Sequence, residues 1–355
     1  MKPDLTELLD LPAFSLGREQ KSAIFRERFS ELESHHRASC AEYGRIAHLL
    51  DPKGTGLDDR IFLPVRLFKE FELKSVPEED VFKTMTSSGT SGQAVSKIIL
   101  DKASAVMQTK VLNSIVANLI GKKRLPMLVI DTAATVKNRL QFSARAAAIF
   151  GFSIFGRDVT YALNEDMDVD INRVDAFMEK HSSSDILLFG FTSIVHQHFT
   201  KPLLTLKHKP ALDRGILIHG GGWKKLQDIA VDGPTFKQHL QDACGIRRVH
   251  NYYGMVEQTG SIFVECEQGF LHCSNYSDVF IRNPQFGLCG LGEPGLIQVL
   301  SLLPESYPGH NLLSEDMGEI VGEDDCACGR KGKYFVVHGR AEQAEVRGCS
   351  DTFSP

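Results

Sequence analysis

Residues 185–191 read DILLFGF and residues 215–220 read GILIHG, two short apolar runs that decide the fold class. Each run is short for a helix and is bounded by polar residues or glycine, which is typical of a strand. Two further segments, MLVID at 127–131 and the more polar RRVHNYYG at 247–254, lie on either side of them along the chain. The four segments are predicted to be strands.

The segments between these runs have the apolar spacing of helices. One predicted helix follows the strand KIIL at 97–100, a second runs through Ala147, and a third begins at GPTF, 233–236, with Pro234 in its first turn. Strands that alternate with helices imply parallel pairing through crossover connections, so the predicted fold class is α/β. The first helix carries Val106, Val111, Ile115 and Leu119 among its apolar residues.

The two flanks of this pattern differ from it. Residues 1–77 are polar and helical, with Ile24, Phe25, Phe29 and Leu32 at helical spacing, as expected for a cap on a core. Beyond Gly260 the chain becomes rich in glycine and poor in helix. The runs SIFVEC, DVFIRN, GLIQVLS and KYFVVHG predict a smaller β-rich subdomain there.

Composition excludes several classes of protein. The 355 residues are 42% hydrophobic and 24% charged, which is typical of a globular chain, and the net charge of −5 without a basic block argues against nucleic-acid binding. No apolar run approaches the roughly 18 residues of a membrane span. The N-terminus MKPDLTELLDLPAF lacks the features of a signal peptide, so we predict a cytoplasmic protein whose eight cysteines are thiols or metal ligands.

Several glycine-bearing polar segments occupy positions where ligands bind. Three of them, HGGGW at 219–223, YYGMVEQTG at 252–260 and LLSEDMGE at 312–319, are predicted loops that would converge on one cleft at the carboxyl ends of a regular sheet. A fourth, TSSGTSGQ at 86–93, offers hydroxyls and glycine amides that suit a phosphate group. A plain Ser/Gly turn is the alternative for this segment.

In their order, these motifs resemble the adenylate-forming superfamily, which activates carboxylic acids with ATP. The resemblance is closest to the LuxE-type acyl-protein synthetases, near the phenylacetate-ligase branch, and runs from Thr86 to Ser350. It implies the large N-terminal domain of that fold with a β-rich subdomain, the C-terminal lid domain being absent or vestigial in a chain that stops at Pro355. The predicted parts are a helical cap (1–77), an α/β nucleotide-binding core (78–260), a β-rich subdomain (261–345) and a tail (346–355).

The same resemblance implies roles for individual residues. Glu257 would bind Mg²⁺, for which one carboxylate plus waters is the usual arrangement. The residues expected to contact ATP are Ser87, Ser88, Gly89, Thr90, Ser91 and Gly92 at the phosphates, Gly220, Gly221 and Gly222 at the adenine, Tyr253 and Gly254 near the α-phosphate, Asp316 at the ribose, and Arg340.

Each of these residues also has a structural interpretation. Gly221 or Gly222 would serve a strand-to-helix turn that needs a positive φ. Glu257 would be an acid at a helix N-terminus, Asp316 a turn acid and Arg340 a surface cation.

The chain departs from the superfamily pattern in two places. Related ligases often carry a lysine shortly after the phosphate loop, where this chain has Ala94 and Val95, with Lys97 two residues further on. The lysine of the lid domain has no counterpart before Pro355. Either another cation such as Lys224 replaces it, or adenylation is slow without a partner.

Cys349 stands near the end of the chain in VRGCSDTFSP. LuxE-type enzymes carry the acyl group on a cysteine near the carboxyl terminus, and a thiolate readily attacks an acyl adenylate. Arg347 would favour the thiolate. The alternative is an unreactive tail thiol.

Four further residues form a pattern of metal ligands. Cys266, His272, Cys326 and Cys328 offer three thiolates and one imidazole, the set of a closed structural Zn²⁺ site, and CACGR at 326–330 is similar to a motif of the phenylacetate ligases. The long separation between the two halves leaves ordinary thiols as the alternative. The other cysteines, Cys40, Cys244, Cys273 and Cys289, are expected to be core or surface residues.

The predicted function is acyl-protein synthesis. ATP and a carboxylic acid, with a fatty acid favoured, would give acyl-AMP, Cys349 would take the acyl group, and an acyl reductase or an acyl-carrier protein would receive it. One alternative is an acid ligase that uses coenzyme A or a carrier protein. The other is a catalytically silent nucleotide-binding subunit of a biosynthetic complex.

Overall fold

The computed structural model describes residues 5–50, 56–87, 94–137 and 144–341, apart from the side chains of Lys137, Ala144, Lys224, Lys225 and Gln227. Two compact units divide these residues. We call residues 119–252 the parallel-sheet unit, and residues 5–118 together with 253–341 the β-rich unit.

The α-helices are α1 (Leu5–Leu9), α2 (Arg18–Ser39), α3 (Ala41–Leu50), α4 (Leu67–Glu70), α5 (Lys102–Ile120), α6 (Ala134–Lys137), α7 (Ala144–Ser153), α8 (Ile171–Lys180), α9 (Thr192–Ile194), α10 (Lys201–Thr205) and α11 (Gly233–Cys244). A π-helical stretch, Val195–Thr200, joins α9 to α10. Single 3-10 turns cover Glu78–Asp80 and Val256–Gln258, and a 3-10 segment with a kink at Leu226 covers Lys224–Ile229.

The strands are β1 (Leu63–Pro64), β2 (Lys83–Thr86), β3 (Lys97–Leu100), β4 (Leu125–Thr132), β5 (Gly156–Leu163), β6 (Ile186–Phe191), β7 (Gly215–Gly220), β8 (Arg248–Tyr253), β9 (Phe263–Glu265), β10 (Leu271–His272), β11 (Ser277–Arg282), β12 (Gly295–Ser301), β13 (Asn311–Glu323) and β14 (Lys333–Arg340).

In the parallel-sheet unit the strand order is β8-β7-β6-β4-β5, and all four pairings are parallel. The predicted runs form β4, β6, β7 and β8, and residues such as Leu128, Leu188 and Leu217 are completely buried. These features confirm the α/β prediction. Sequence analysis missed β5, an edge strand whose middle is exposed, because it has no continuous apolar run.

Local capping explains where helix α11 of this unit begins and ends. Asp232 accepts a hydrogen bond from the backbone N–H of Thr235 at 2.8 Å, and Pro234 lies in the first turn of α11, as predicted. Gly245 ends the helix in the left-handed conformation, with φ 81°. This exit directs the chain into β8.

The β-rich unit contains an antiparallel sheet in the order β11-β12-β13-β14-β10-β9. Strand β1 runs parallel to β13, and β2 and β3 form a separate hairpin. Phe25, Phe29 and Leu32 of α2 are buried, which confirms the predicted apolar face of the N-terminal helix. The division predicted from sequence, with boundaries at 77/78, 260/261 and 345/346, stays a prediction.

The prediction of a loop at residues 312–319 is wrong, because this segment lies inside β13. Between β12 and β13 the register moves from Leu296↔Met317 to Gln298↔Leu313, so two extra residues of β13 are accommodated there. Such a bulge turns side chains out of the regular alternation. The polar residues that suggested a loop are the residues of the bulge.

No helix among the described residues is both long enough and apolar enough to span a bilayer.

Two stacked histidines in the β-rich unit predict a pH dependence of stability. The rings of His36 and His310 are buried and lie 5.0 Å apart. Burial lowers the pKa of His310 to about 3 and that of His36 well below its usual range. Because the unfolded chain binds protons below about pH 6.5 and these folded histidines do not, stability falls as pH falls through 6.5. For His310 the loss is roughly 2 kcal/mol down to pH 5.

Urea unfolding at pH 7.5 and pH 5.0 measures this effect. We expect His310→Gln to remove roughly 2 kcal/mol of the difference between the two pH values, whatever its effect at pH 7.5. His48→Gln, at an exposed position of α3, is the control and should leave the difference unchanged. An unchanged pH dependence in His310→Gln would contradict the assignment.

Candidate functional site

Three predicted nucleotide ligands of the β-rich unit meet at one point. The Tyr253 hydroxyl, at the end of β8, donates to Asp316 Oδ2 at 2.7 Å. Arg340 lies directly opposite Asp316 in the β13–β14 register, and its Nε is 3.7 Å from Asp316 Oδ1. Residues separated by 63 and 24 positions are thereby brought into contact, which supports a shared role.

The bulge in β13 explains the position of Asp316. The backbone N–H of Asp316 donates to Ser314 Oγ at 3.1 Å, a local turn that replaces a ladder bond with β12. The Tyr253 ring packs against Phe263 and Phe335, with ring centroids at 6.0 and 6.3 Å. The hydroxyl and the carboxylate are therefore held by packing and by the strand register.

Burial and charge shift both groups toward their neutral forms. Burial, together with the Asp316 carboxylate, raises the pKa of Tyr253 well above its usual range. Burial also raises the pKa of Asp316, an effect partly offset by the Tyr253 hydroxyl and by Arg340. An ionised carboxylate has about four acceptor positions, so Asp316 can accept from Tyr253 and still receive two hydroxyls of a ligand.

Glu257 lies in the 3-10 turn Val256–Gln258 and is 8% exposed. Burial raises the pKa of its carboxyl group. The adjacent Gln258 side-chain amide donates to the backbone carbonyl oxygens of Val299 and Gly309, at 3.2 and 3.0 Å, which anchors the turn to the sheet. A buried carboxylate on a fixed turn is chemically suited to a divalent cation.

Ser87 is the first of the predicted phosphate ligands along the chain. Its backbone N–H donates to the Ser96 carbonyl oxygen at 3.1 Å, and the Ser96 N–H donates to Ser87 Oγ at 2.9 Å. This pair closes the end of the β2–β3 hairpin. Outside the described residues lie the predicted ligands Ser88, Gly89, Thr90, Ser91 and Gly92 and the predicted acyl acceptor Cys349, and the Lys224 side chain is likewise not described.

The glycines predicted at the adenine belong to the parallel-sheet unit. Gly221 and Gly222 both have positive φ, 82° and 60°, which confirms the predicted turn after β7. Gly220 packs against Tyr252, since a Cβ at this position would lie 2.6 Å from Tyr252 Cε1. The predicted convergence of the loops on one cleft stays a prediction.

A buried hydrogen-bond chain, which sequence analysis missed, fixes the end of β7. The Thr192 hydroxyl donates to the Gly220 carbonyl oxygen at 3.0 Å and lies 2.9 Å from His219 Nδ1. Burial lowers the pKa of His219 to about 3, so the ring is neutral at physiological pH. In the tautomer that carries its proton on Nδ1, His219 donates a hydrogen bond to the Thr192 hydroxyl oxygen.

The contact of Gly220 with Tyr252 gives a test. Gly220→Ala should lower the free energy of unfolding by about 1–3 kcal/mol, because the new methyl group overpacks against the ring. In a Tyr252→Ala background the same change should cost less than about 0.5 kcal/mol. Gly222→Ala is the control, because a Cβ at this position would have no neighbour within 4 Å and the substitution changes only the backbone strain at positive φ. The free energy of unfolding that it costs should be the same with Tyr252 or Ala at position 252.

A second feature missed by sequence analysis is a buried ion pair at the carboxyl end of β4. Arg145 Nε donates to Asp131 Oδ2 at 2.6 Å, and the Thr135 hydroxyl donates to Asp131 Oδ1 at 2.7 Å. The Arg145 and Asp131 side chains are 2% and 1% exposed. The aspartate at the end of MLVID was the available signal, because strand ends are where ligands bind in such sheets.

The predicted metal ligands of the β-rich unit also lie together. The ligand-capable atoms of Cys266, His272, Cys326 and Cys328 are all within 4.8 Å of one another. Cys40, Cys244 and Cys273 are buried elsewhere, as expected.

The fold is that of adenylate-forming ligases. The structure is similar to an open conformation of 2-hydroxyisobutyryl-CoA ligase that was solved with 2-HIB-AMP and CoA. The similarity covers 94% of this chain and 77% of that ligase, with a TM-score of 0.70 at 13% sequence identity. For the postadenylation state of the same ligase, the similarity covers 92% of this chain and 69% of the ligase, with a TM-score of 0.68 at 14% sequence identity.

Residues 4–355 match the family model of the acyl-protein synthetase LuxE, and the chain belongs to this family. The long-chain-fatty-acid--luciferin-component ligase of Aliivibrio fischeri is 23% identical over 349 residues, which are 95% of this chain and 89% of that protein. The protein is thus an acid–thiol ligase, an enzyme that activates a carboxylic acid as its acyl adenylate.

Proposed function

We propose that this enzyme activates a long-chain fatty acid with ATP, transfers the acyl group to Cys349 as a thioester, and passes it to an acyl reductase. The match of residues 4–355 to the LuxE family carries this proposal. The long-chain fatty acid is inferred from the name of the Aliivibrio fischeri relative, and the protein acceptor from the description of the family as acyl-protein synthetases.

In the first step a carboxylate oxygen of the acid attacks the α-phosphorus of ATP, an O–P bond forms, and the bond to the leaving pyrophosphate breaks. Asp316, held by Tyr253, would accept hydrogen bonds from both ribose hydroxyls. The guanidinium of Arg340 would face the nucleotide. These contacts place the α-phosphorus without taking part in bond making.

The other predicted ATP contacts keep their proposed roles. The adenine would lie against the backbone of Gly220, Gly221 and Gly222. The hydroxyl and N–H groups of residues 87–92 would donate hydrogen bonds to the β- and γ-phosphates. Mg²⁺ would offset phosphate charge, with Glu257 as its carboxylate ligand. Lys224 is the proposed substitute for the lysine of a lid domain.

In the second step the Cys349 thiolate attacks the carbonyl carbon of acyl-AMP. A C–S bond forms, the C–O bond to the phosphate breaks, and AMP leaves with the electron pair. The thioester retains enough free energy to react with a reductase or with another thiol. We also propose a cytoplasmic location, in keeping with free thiols as catalytic and structural groups.

Carboxylate-dependent exchange of labelled pyrophosphate into ATP tests the first step. We expect exchange with fatty acids of long chain and little with short or aromatic acids. Absence of exchange with every acid, with or without a reductase added, would refute adenylation and favour a nucleotide-binding subunit. Exchange together with acyl-CoA formation in the absence of an acyl-enzyme would identify an acid–CoA ligase.

A further inference from the structure

The cluster of Cys266, His272, Cys326 and Cys328 has the dimensions of a tetrahedral metal site. Cys266 Sγ and Cys326 Sγ are 4.0 Å apart, and Cys328 Sγ is 3.4 Å from His272 Nε2. A zinc ion with Zn–S of about 2.3 Å and Zn–N of about 2.0 Å requires S···S and S···N separations of roughly 3.8 and 3.6 Å. These two distances differ from the ideal values by only a few tenths of an ångström, and all four ligand atoms lie within 4.8 Å of one another.

Two tight turns present the sulfur ligands. After β9, the Gly269 N–H donates to the Cys266 carbonyl oxygen at 3.0 Å, and Gly269 has φ 86°. Before β14, the Gly329 N–H donates to the Cys326 carbonyl oxygen at 2.9 Å, and Gly329 has φ 81°. Each turn places a glycine three residues after its first cysteine, in a conformation that other residues rarely adopt. The two halves of the cluster therefore repeat one local geometry.

Backbone donors point at all three sulfurs. The N–H of Gln268 donates to Cys266 Sγ at 3.3 Å. The N–H of Cys328 donates to Cys326 Sγ, and that of Arg330 donates to Cys328 Sγ. In every case the donor is two residues after the sulfur it contacts. Such donors stabilise thiolates that are bound to a metal.

Other side chains tie the two turns together around the cluster. Arg330 Nη1 donates to Glu267 Oε2 at 3.0 Å, and its Nε donates to Asn118 Oδ1 at 3.0 Å. Three thiolates around Zn²⁺ carry a net charge of −1, which the neighbouring guanidinium offsets. Tyr334 stacks on the His272 ring at 5.4 Å and fixes its plane.

We propose that these four residues bind one Zn²⁺ in a closed structural site. Four protein ligands leave no position for water or substrate, so the ion would stabilise the fold and take no part in acyl transfer. The site would join the β9–β10 hairpin to the turn before β14. Because β14 starts at Lys333 and carries Arg340 at its other end, the ion anchors the strand that places Arg340 opposite Asp316.

A disulfide explains the geometry less well. A Cys266–Cys326 bond would use two of the three thiols and leave Cys328 directed at His272 Nε2. A metal ion uses all four groups at once.

Metal analysis of the full chain, purified without chelators, is the first test. We expect about one zinc per chain by mass spectrometry of the metal. Replacement by Co²⁺ should give a thiolate-to-cobalt charge-transfer band and the intense visible bands of tetrahedral Co²⁺. A zinc content below about 0.1 per chain that does not rise when Zn²⁺ is added would overturn the proposal, as would a Cys266–Cys326 disulfide in peptide maps.

Matched variants locate the ion. Cys328→Ser should lower zinc from about one per chain to nearly none and lower the melting temperature, while Cys289→Ser, at a partly exposed cysteine of the same unit, should keep both. Full zinc occupancy in Cys328→Ser would refute the assignment of that ligand. If Cys328→Ser does not fold, the cobalt spectrum of the parent decides. Zinc content and pyrophosphate exchange are independent readouts, so this proposal and the proposed function fail separately.

Discussion

Cys349→Ser should abolish the acyl-enzyme. After incubation with ATP, Mg²⁺ and a long-chain fatty acid, we expect intact-mass spectrometry to show a hydroxylamine-labile gain equal to the acyl group in the parent and none in the variant. The physical reason is that a serine hydroxyl is almost wholly protonated at neutral pH, whereas a thiol is partly ionised and its thiolate is a strong nucleophile. Transfer to a reductase should fall to the detection limit.

The same variant should still make acyl-AMP, because Cys349 has no proposed role in the first step. Pyrophosphate exchange at the level of the parent is therefore the internal control. Cys289→Ser is the matched thiol control and should acquire the acyl group normally. An adduct of unchanged yield on Cys349→Ser would move the acceptor to another residue and refute the proposed second step.

Asp316→Ala should raise the KM for ATP by about 10- to 100-fold. The variant loses the carboxylate that accepts from the Tyr253 hydroxyl at 2.7 Å and that we assign to the ribose hydroxyls. A lost hydrogen bond to a charged group costs about 1.5–3 kcal/mol, and about 1.4 kcal/mol corresponds to a factor of ten. Steady-state exchange rates over a range of ATP concentrations measure the effect.

Two further variants make the result specific. Glu319→Ala removes another carboxylate of β13, one that lies 3.5 Å from His338, and should leave the KM for ATP within about twofold. Tyr253→Phe should give a smaller increase than Asp316→Ala, because the carboxylate assigned to the ribose hydroxyls remains in place. A KM for ATP that is unchanged in a well-folded Asp316→Ala protein would exclude Asp316 from the nucleotide site.

Local patterns accounted for most of the parallel-sheet unit. The runs at 127–131, 185–191 and 215–220 became buried strands since a strand covered on both faces must be apolar throughout. The edge strand β5 does not meet that condition and was missed. The segment 312–319 was misread because a bulged strand has the polar composition of a loop.

Some features of the candidate site could likewise be predicted from the sequence, and others could not. The types of residue that suit ATP, Mg²⁺ and zinc were recognisable from motifs, and the positive φ at Gly221 and Gly222 followed from local turn chemistry. The ion pair of Asp131 with Arg145 was missed, because its geometry depends on packing across the parallel-sheet unit. Motifs therefore identified candidate residues, but the residues that contact them within each unit followed only from the tertiary structure.

By itself, then, the sequence determined the α/β class, the order of the buried strands along the chain and the family to which the chain belongs, since these depend on local apolar runs and motif order. Tertiary structure decided which distant residues meet. The β13–β14 register places Asp316 opposite Arg340, and two separate turns bring Cys266 and Cys326 to 4.0 Å. Strand register depends on the whole sheet, because a shift of one residue moves every side chain to the other face.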